Sequence, residues 1–377
     1  MIDSRFPMHR LMVIAAFATA LMAQSPSGMK FGVPVKEGPM DALRVKDYAP
    51  ESSLVVPKTQ IAKARFPVID AHTHTSMSGI RTRADVDAWV RTMDETGIDI
   101  TVVFTESTGP DFDRQADLFL SSYPKRFQVW CGIDTKDIET LDYPARAARE
   151  LDRCFRKGAR GIGELTDKGW GLQANETNAL PRARRMRLDD PRLDPFWKKA
   201  AELKMPANVH IADHPSAWRP LGPHQERSPD FQGFNLHEKD VPSFDALMAT
   251  RDRVLLRHPQ TTFIFCHLSN MGHDTAALAK ALDRFPNLYL DISARDYEIG
   301  RQPRAARAFL DRYCGRVLFG TDMGREKSMY EGWWRLLESA DEYMPGRIWW
   351  PYYGLELNDA TLGALYRETA LKVLNFR

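Results

Sequence analysis

Short apolar runs recur along this chain, and several of them close on a polar side chain. Runs of this kind stand at 68–72, 98–104, 127–133, 158–165, 207–211, 262–267, 288–292 and 316–320. Between them lie stretches with apolar residues at three- and four-residue spacing: 84–96, 113–122, 138–156, 194–203, 243–257, 274–284 and 304–313. That spacing predicts helices with one buried face. Gly97, Gly315 and the His258–Pro259 and Phe285–Pro286 pairs supply helix stops. Short apolar strands alternating with helices predict a parallel sheet covered on both sides, and eight such units predict a (β/α)8 barrel. An open doubly wound sheet is the competing architecture, but no glycine-rich dinucleotide loop follows the first run.

Two stretches, 166–191 after the fourth strand and 212–242 after the fifth, are too long for ordinary connectors. Both follow strand C-terminal ends, where barrel enzymes build their sites, so they are expected to be substrate-pocket loops. Trp170 and Trp218 stand in them as candidates to stack on a flat substrate ring.

The amino terminus has a different pattern. Arg5, His9 and Arg10 precede an uncharged run from Leu11 to Ala23 that ends in small residues. This reads as a secretory signal peptide over residues 1–23, cleaved after Ala20 or Ala23, and predicts a periplasmic or secreted protein. Residues 24–60 are proline-rich and aperiodic and predict an extended segment. The barrel is expected over 61–377.

Composition narrows the classes. With 43% hydrophobic and 27% charged residues the chain is globular. Lys+Arg number 52 against 50 Asp+Glu, which gives no support to a nucleic-acid surface or a membrane partner for the mature chain. A small-molecule substrate is the expected partner, and a homo-oligomer stays open. Cys131, Cys154, Cys266 and Cys314 form no CxxC motif. Cys131 and Cys266 read as buried small hydrophobes, although export leaves a disulfide open.

The chemistry concentrates at strand ends. Asp70-Ala71-His72-Thr73-His74 closes the first run, and alternation along a strand sets His72 and His74 on one side, where they can chelate one ion. His210 ends the fifth run, His267 the sixth and Asp322 follows the eighth. In a closed barrel these ends converge on one mouth. Nitrogen and oxygen donors without thiolate suit zinc, manganese or iron. Glu164 ends the fourth run and either bridges or ligates one or two ions, or orients a ligand histidine. Arg295 and Arg325 are candidates to hold an anionic substrate group.

The order HxH, His, His, Asp resembles the amidohydrolase superfamily, in the amidohydrolase-related branch that also contains aminocarboxymuconate-semialdehyde decarboxylase. The resemblance covers residues 66–377. It rests on DAHTH at 70–74, NVHIAD around His210, FCHLSN around His267 and FGTDM around Asp322, with YGLEL at 353–357 and YRETA at 366–370. It implies that His72, His74 and His210 are metal ligands and that Asp322 is a ligand or proton shuttle. His267 would be a second-metal ligand or would polarise the substrate carbonyl. Many two-metal relatives carry a carboxylated lysine on the fourth strand, where this chain has Glu164. Lys168, four residues on, reads as a solvated charge. The chemistry implied is hydrolysis of an amide, lactone or ester by a metal-activated water. Non-oxidative decarboxylation is the rival, and a non-catalytic, metal-stabilised binding protein is a third reading.

Overall fold

The computed structural model describes residues 29–30, 33–34, 38–39, 41–49, 51–222, 225, 234–346, 348 and 350–376. The expected leader, 1–23, lies outside them. The chain divides into two units, Met1–Ser53 and Leu54–Arg377. The first holds a short antiparallel pair, Met29–Lys30 with Val33–Pro34, and a 3-10 turn at Val45–Asp47.

The second unit is a (β/α)8 barrel. Its strands are β1 (Val68–His74), β2 (Ile98–Phe104), β3 (Phe127–Trp130), β4 (Ile162–Asp167), β5 (Ala207–Ile211), β6 (Phe263–Phe265), β7 (Leu288–Asp291) and β8 (Val317–Leu318). β1 to β3 pair in parallel, as do β4 to β8. A parallel bridge between Cys131 and Ile162 joins the two groups on one side. On the other, Ala71 N–H donates to Phe319 O at 3.0 Å and Asp322 N–H to His72 O at 2.8 Å. These contacts close the ring.

Each strand is followed by a principal helix: α1 (Arg83–Thr96), α2 (Gly109–Leu120), α3 (Tyr143–Lys157), α4 (Asp194–Glu202), α5 (Phe244–Arg257), α6 (Thr275–Arg284), α7 (Pro303–Tyr313) and α8 (Lys327–Glu338). α3 buries Tyr143, Ala147, Leu151 and Cys154, one face at four- and three-residue spacing. α1 starts at a capping box between Thr82 and Asp85 and stops at Gly97 in the left-handed region (φ 92°), as its sequence predicts. α3 starts later than its apolar spacing suggests, because Pro144 belongs in a first turn. β4 also starts later than expected. Gly158 caps α3 at φ 125°, and Gly161 must lie flat on Trp130, where a Cβ would meet the indole at 2.2 Å. The regular apolar spacing marks no helix beyond 304–313, but Trp333 and Trp334 read as lying on a packed helix, and they do lie buried on α8 with Tyr330, Leu336 and Leu337.

Apolar side chains form two clusters. The larger fills the layer between strands and helices. The smaller, with Ile69, Ala71, Val102, Phe104, Trp130, Ile264 and Leu318, lies inside the barrel and is joined by Ala370 and Leu374 from the C-terminal helical segment. Among the described residues the long connections after β4 and β5 carry only short 3-10 turns, at Arg182–Arg184, Pro191–Leu193 and Pro215–Trp218. The four cysteines are free, and Cys131, Cys154 and Cys266 are buried. Among the described residues no helix is long and apolar enough to cross a membrane.

Candidate metal centre

β1 sets the first two donors. The pairing of β1 with β2 shifts register between Asp70 and Thr73. Ile69 and Ala71 belong to the inner cluster, and beyond the irregularity the His72 and His74 rings pack on inner Phe104 at 4.8 and 5.5 Å. Strict alternation would have put His72 opposite Ala71, so the bulge re-aims the pair. Asp70 itself stays out of the site. It accepts hydrogen bonds from Thr321 N–H, Thr321 Oγ1 and Tyr330 Oη at 3.1, 2.8 and 2.9 Å, tying β1 to the segment that carries Asp322.

The donor atoms form two overlapping groups, since His267 also comes within ligand-sharing reach of His72 and Asp322. In the first, His72 Nε2 and His74 Nε2 are 3.1 Å apart, and Asp322 Oδ1 lies 3.3 and 3.0 Å from them. Ligands at ordinary metal–nitrogen and metal–oxygen lengths around one ion stand about 3.0–3.4 Å apart, so this triangle has the size of one coordination face. In the second, Glu164 Oε1 lies 3.0 Å from His210 Nδ1 and 3.3 Å from His267 Nε2. Glu164 Oε2 lies 3.6 Å from His74 Nε2. One carboxylate therefore faces both groups. The donor set fits a divalent cation, because imidazole nitrogens and carboxylate oxygens converge within ligand-sharing distance.

Outer hydrogen bonds select the tautomers. His72 Nδ1 meets Asp291 Oδ2 at 2.9 Å, and His74 Nδ1 meets Glu106. His267 Nδ1–H donates to the carbonyl of Ser293 at 2.8 Å. A carbonyl only accepts, so the proton sits on Nδ1 and Nε2 carries the lone pair. Burial and neighbouring His210 push the His267 pKa down to about 4, which keeps the ring neutral. His267 is thus a donor of electrons at Nε2, not of a proton to a carbonyl. Burial opposes ionisation of Glu164 and Asp322, but hydrogen bonds and charge from the surrounding imidazoles outweigh it and hold both carboxyls well below their usual range.

The backbone at two of these positions is unusual. His267, Leu268, Ser269 and Asn270 all have φ between 52° and 58°, and Asp322 has φ 75°. Non-glycine residues there cost roughly 1–2 kcal/mol each. Asn270 Nδ2 bonds to Ile211 O and Ala212 O, and His267 N–H to Asp291, which holds the turn in place.

All six expected donors thus meet at the C-terminal mouth. The four substrate candidates do not gather there in the same way. Arg295 is buried and turned onto Asn270 and the Ala294 carbonyl. Arg325 lies beside Glu326 at 3.8 Å near the surface. Trp218 donates to Pro242 O at 2.9 Å and packs on Phe244, which fastens the loop after β5. Trp170 lines a separate cavity of about 460 Å³ and carries the Arg185 guanidinium over its ring. Lys168 departs from its reading as a solvated charge. The start of the loop after β4 brings its Nζ to 2.9 Å from Asp213 Oδ1, and Asp213 lies 3.5 Å from His210 Nε2.

Sequence reasoning passed over Asp291, Ser293 and Glu106, and read Cys266 only as a buried small hydrophobe. Asp291 closes an apolar strand as His210 does, so its signal was present. Cys266 Sγ lies 3.0 Å from Glu164 Oε1, next to His267 in sequence. Glu106 lies in the loop after β2 and no pattern marks it.

An eight-stranded barrel with histidines and carboxylates converging on its C-terminal mouth defines a metal-dependent enzyme class. A family model described as amidohydrolase matches residues 69–376, and the chain belongs to that family. It is therefore a metal-dependent enzyme of the amidohydrolase superfamily acting on a small molecule. Among solved structures, a candidate amidohydrolase from Staphylococcus aureus is 15% identical, with a TM-score of 0.51 over 81% of this chain and 99% of the other. An uncharacterized TIM-barrel protein from Bordetella bronchiseptica is 16% identical, with a TM-score of 0.50 over 81% and 97%. A 2,6-dihydroxybenzoate decarboxylase from Rhizobium is 16% identical, with a TM-score of 0.49 over 82% and 98%. At such identities the first two likenesses speak to the fold alone. No curated protein matches the chain.

Proposed function

We propose that this enzyme is a hydrolase that cleaves an amide, lactone or ester bond with a metal-activated water. The observation that carries this reading is the position of Glu164, whose two carboxylate oxygens face separate donor groups: His74 on one side, His210 and His267 on the other. In this reading His72, His74 and Asp322 would hold one divalent ion, zinc being the first choice for such donors, and His210, His267 and Glu164 would hold a second. A bound ion of this kind lowers the pKa of its water to about 7 and polarises the bond to be cleaved.

The protein groups then divide the remaining work. Asp322 is the most open of the six, its side chain 21% exposed against 12% or less for the others. It stays ionised and faces a cavity, so it can accept the proton of the attacking water and deliver it to the leaving group. His267, neutral with its Nδ1–H engaged, serves as a ligand. Export rests on the amino-terminal pattern alone and is proposed on that basis.

Metal content by elemental mass spectrometry tests the centre: about two ions per chain are expected, falling to about one in Glu164→Gln. Products formed in ¹⁸O-labelled water test the reaction. Label in the product carboxyl supports hydrolysis; release of CO₂ without label incorporation would replace it with decarboxylation.

A further inference from the structure

A half-enclosed cavity of about 570 Å³ opens beside Asp322, between the loops after β7 and β8, α8 and the segment that follows it. The volume lies in the range of small-ligand sites. Its inner wall is Met329, Trp333, Leu336, Met344 and Tyr352, of which all but Met329 are buried. Among the described residues its lining also carries Asp296, Glu326, which lies beside Arg325, and Asp322, which faces the His72 and His74 rings. Among the described residues the arginine on its lining, Arg335, is already committed, with Nε 2.7 Å from Asp341 Oδ2 and a terminal nitrogen on Pro57 O. Arg295 and Arg325, the arginines expected to receive an anionic group, do not line it. An apolar wall of this size recognises a hydrophobic group.

We propose that this cavity is the specificity pocket and that it takes an uncharged apolar arm of the substrate, an aryl or branched alkyl group attached next to the bond being cleaved. The proposal rests on the metal-centre reading above, because Asp322 is the point where cavity and centre meet. Met329 and Trp333 on α8 and Met344 and Tyr352 beyond it then decide which substrates fit, while the donor set decides the chemistry.

Gly332 gives a clean test. It lines the cavity from α8, and a Cβ built there meets no atom within 4 Å. Gly332 is exposed, so Gly332→Phe sets a ring at the open rim of the cavity without a backbone clash. The probes are acetohydroxamate, a bare metal chelator, and phenylacetohydroxamate, which adds a ring. Their affinities for the zinc-loaded protein are measured by calorimetry. The ring is expected to tighten binding to the unsubstituted protein by at least about tenfold. In Gly332→Phe that advantage should fall to about twofold or less, with acetohydroxamate affinity kept. Met329→Gln, which puts an amide in the same wall, should also shrink it and serves if Gly332→Phe does not fold. If acetohydroxamate binds but the ring adds nothing, or if its advantage survives both substitutions, the pocket assignment is overturned and the metal centre stands. If neither hydroxamate binds, the metal-centre reading fails and takes the pocket assignment with it.

Discussion

His72 Nδ1 lies 2.9 Å from Asp291 Oδ2, on the far side of the ring from the Nε2 that faces His74 and Asp322. Asp291 is wholly buried and also accepts from Asn208 Nδ2, Ser293 and the His267 backbone N–H. One carboxylate on β7 therefore orients a ring from β1 and the strained turn after β6. Burial pushes its carboxyl up, but the His72 charge and hydrogen bond outweigh this and keep it ionised. Asp291→Asn removes the charge that fixes the His72 tautomer. Metal affinity, read by competition with a chelator, is expected to fall roughly 10–100-fold. An unchanged affinity would mean that the pair serves folding only.

Asp322 is placed differently, because its carboxylate is open to the cavity as well as to His72 and His74. Asp322→Asn keeps an oxygen donor but cannot take up a proton. Turnover is expected to fall at least about 10²-fold while most of the metal is retained. Loss of all metal together with activity would instead make Asp322 chiefly a ligand. Turnover close to that of the unsubstituted enzyme would remove it from the mechanism.

The sequence made the six donors legible because each closes or follows an apolar run at the same barrel end. That signature depends only on side-chain alternation and strand direction. It extended to Asp291, which was read as part of a strand and not as its polar end. Glu106, Lys168 and Asp213 were illegible for a physical reason: each lies in a loop, and only the path of that loop sets its partner. Lys168 illustrates this, since a lysine four residues beyond Glu164 looks solvated until the Asp213 contact is known. The fold itself was legible from periodicity. Strand limits were not, because glycine close to Trp130 and the left-handed turn at 267–270 end regular structure inside apolar sequence. The substrate candidates fared worst, since an aromatic or arginine in a long loop serves loop packing as readily as binding.

Removal of metal should be felt in stability as well as in catalysis. Without a cation the centre crowds imidazoles against ionised carboxylates, and His74 holds a proton: its hydrogen bonds to the Asp322 and Glu106 carboxylates raise it to about 9 against the opposing effect of burial. A cation that binds only the folded chain stabilises it by about 4 kcal/mol when free metal is a thousandfold above Kd. Stripping with a chelator is expected to lower the Tm by several degrees, and zinc or manganese should restore it. A Tm indifferent to both would show that no ion couples to this fold.

Two glycines near the site should respond to alanine with opposite signs. Gly320 follows β8, and a Cβ there would sit 2.8 Å from His72 Cβ and 3.4 Å from Ser293 Cβ. Neither neighbour can yield easily. His72 is fixed by the strand pairing of β1 and by Asp291, and Ser293 Oγ is bonded into the same network. Overpacking of this kind costs roughly 1–3 kcal/mol, and any relief must move a ring that faces Asp322. Gly320→Ala is therefore expected to lower stability to urea and weaken metal binding together. Gly332 lies inside α8 with open space around its missing Cβ, so Gly332→Ala should stabilise by roughly 0.5–1 kcal/mol through helix propensity and leave metal affinity unchanged. If Gly320→Ala proved as benign as Gly332→Ala, the close approach of β8 to His72 would not be what positions the ring.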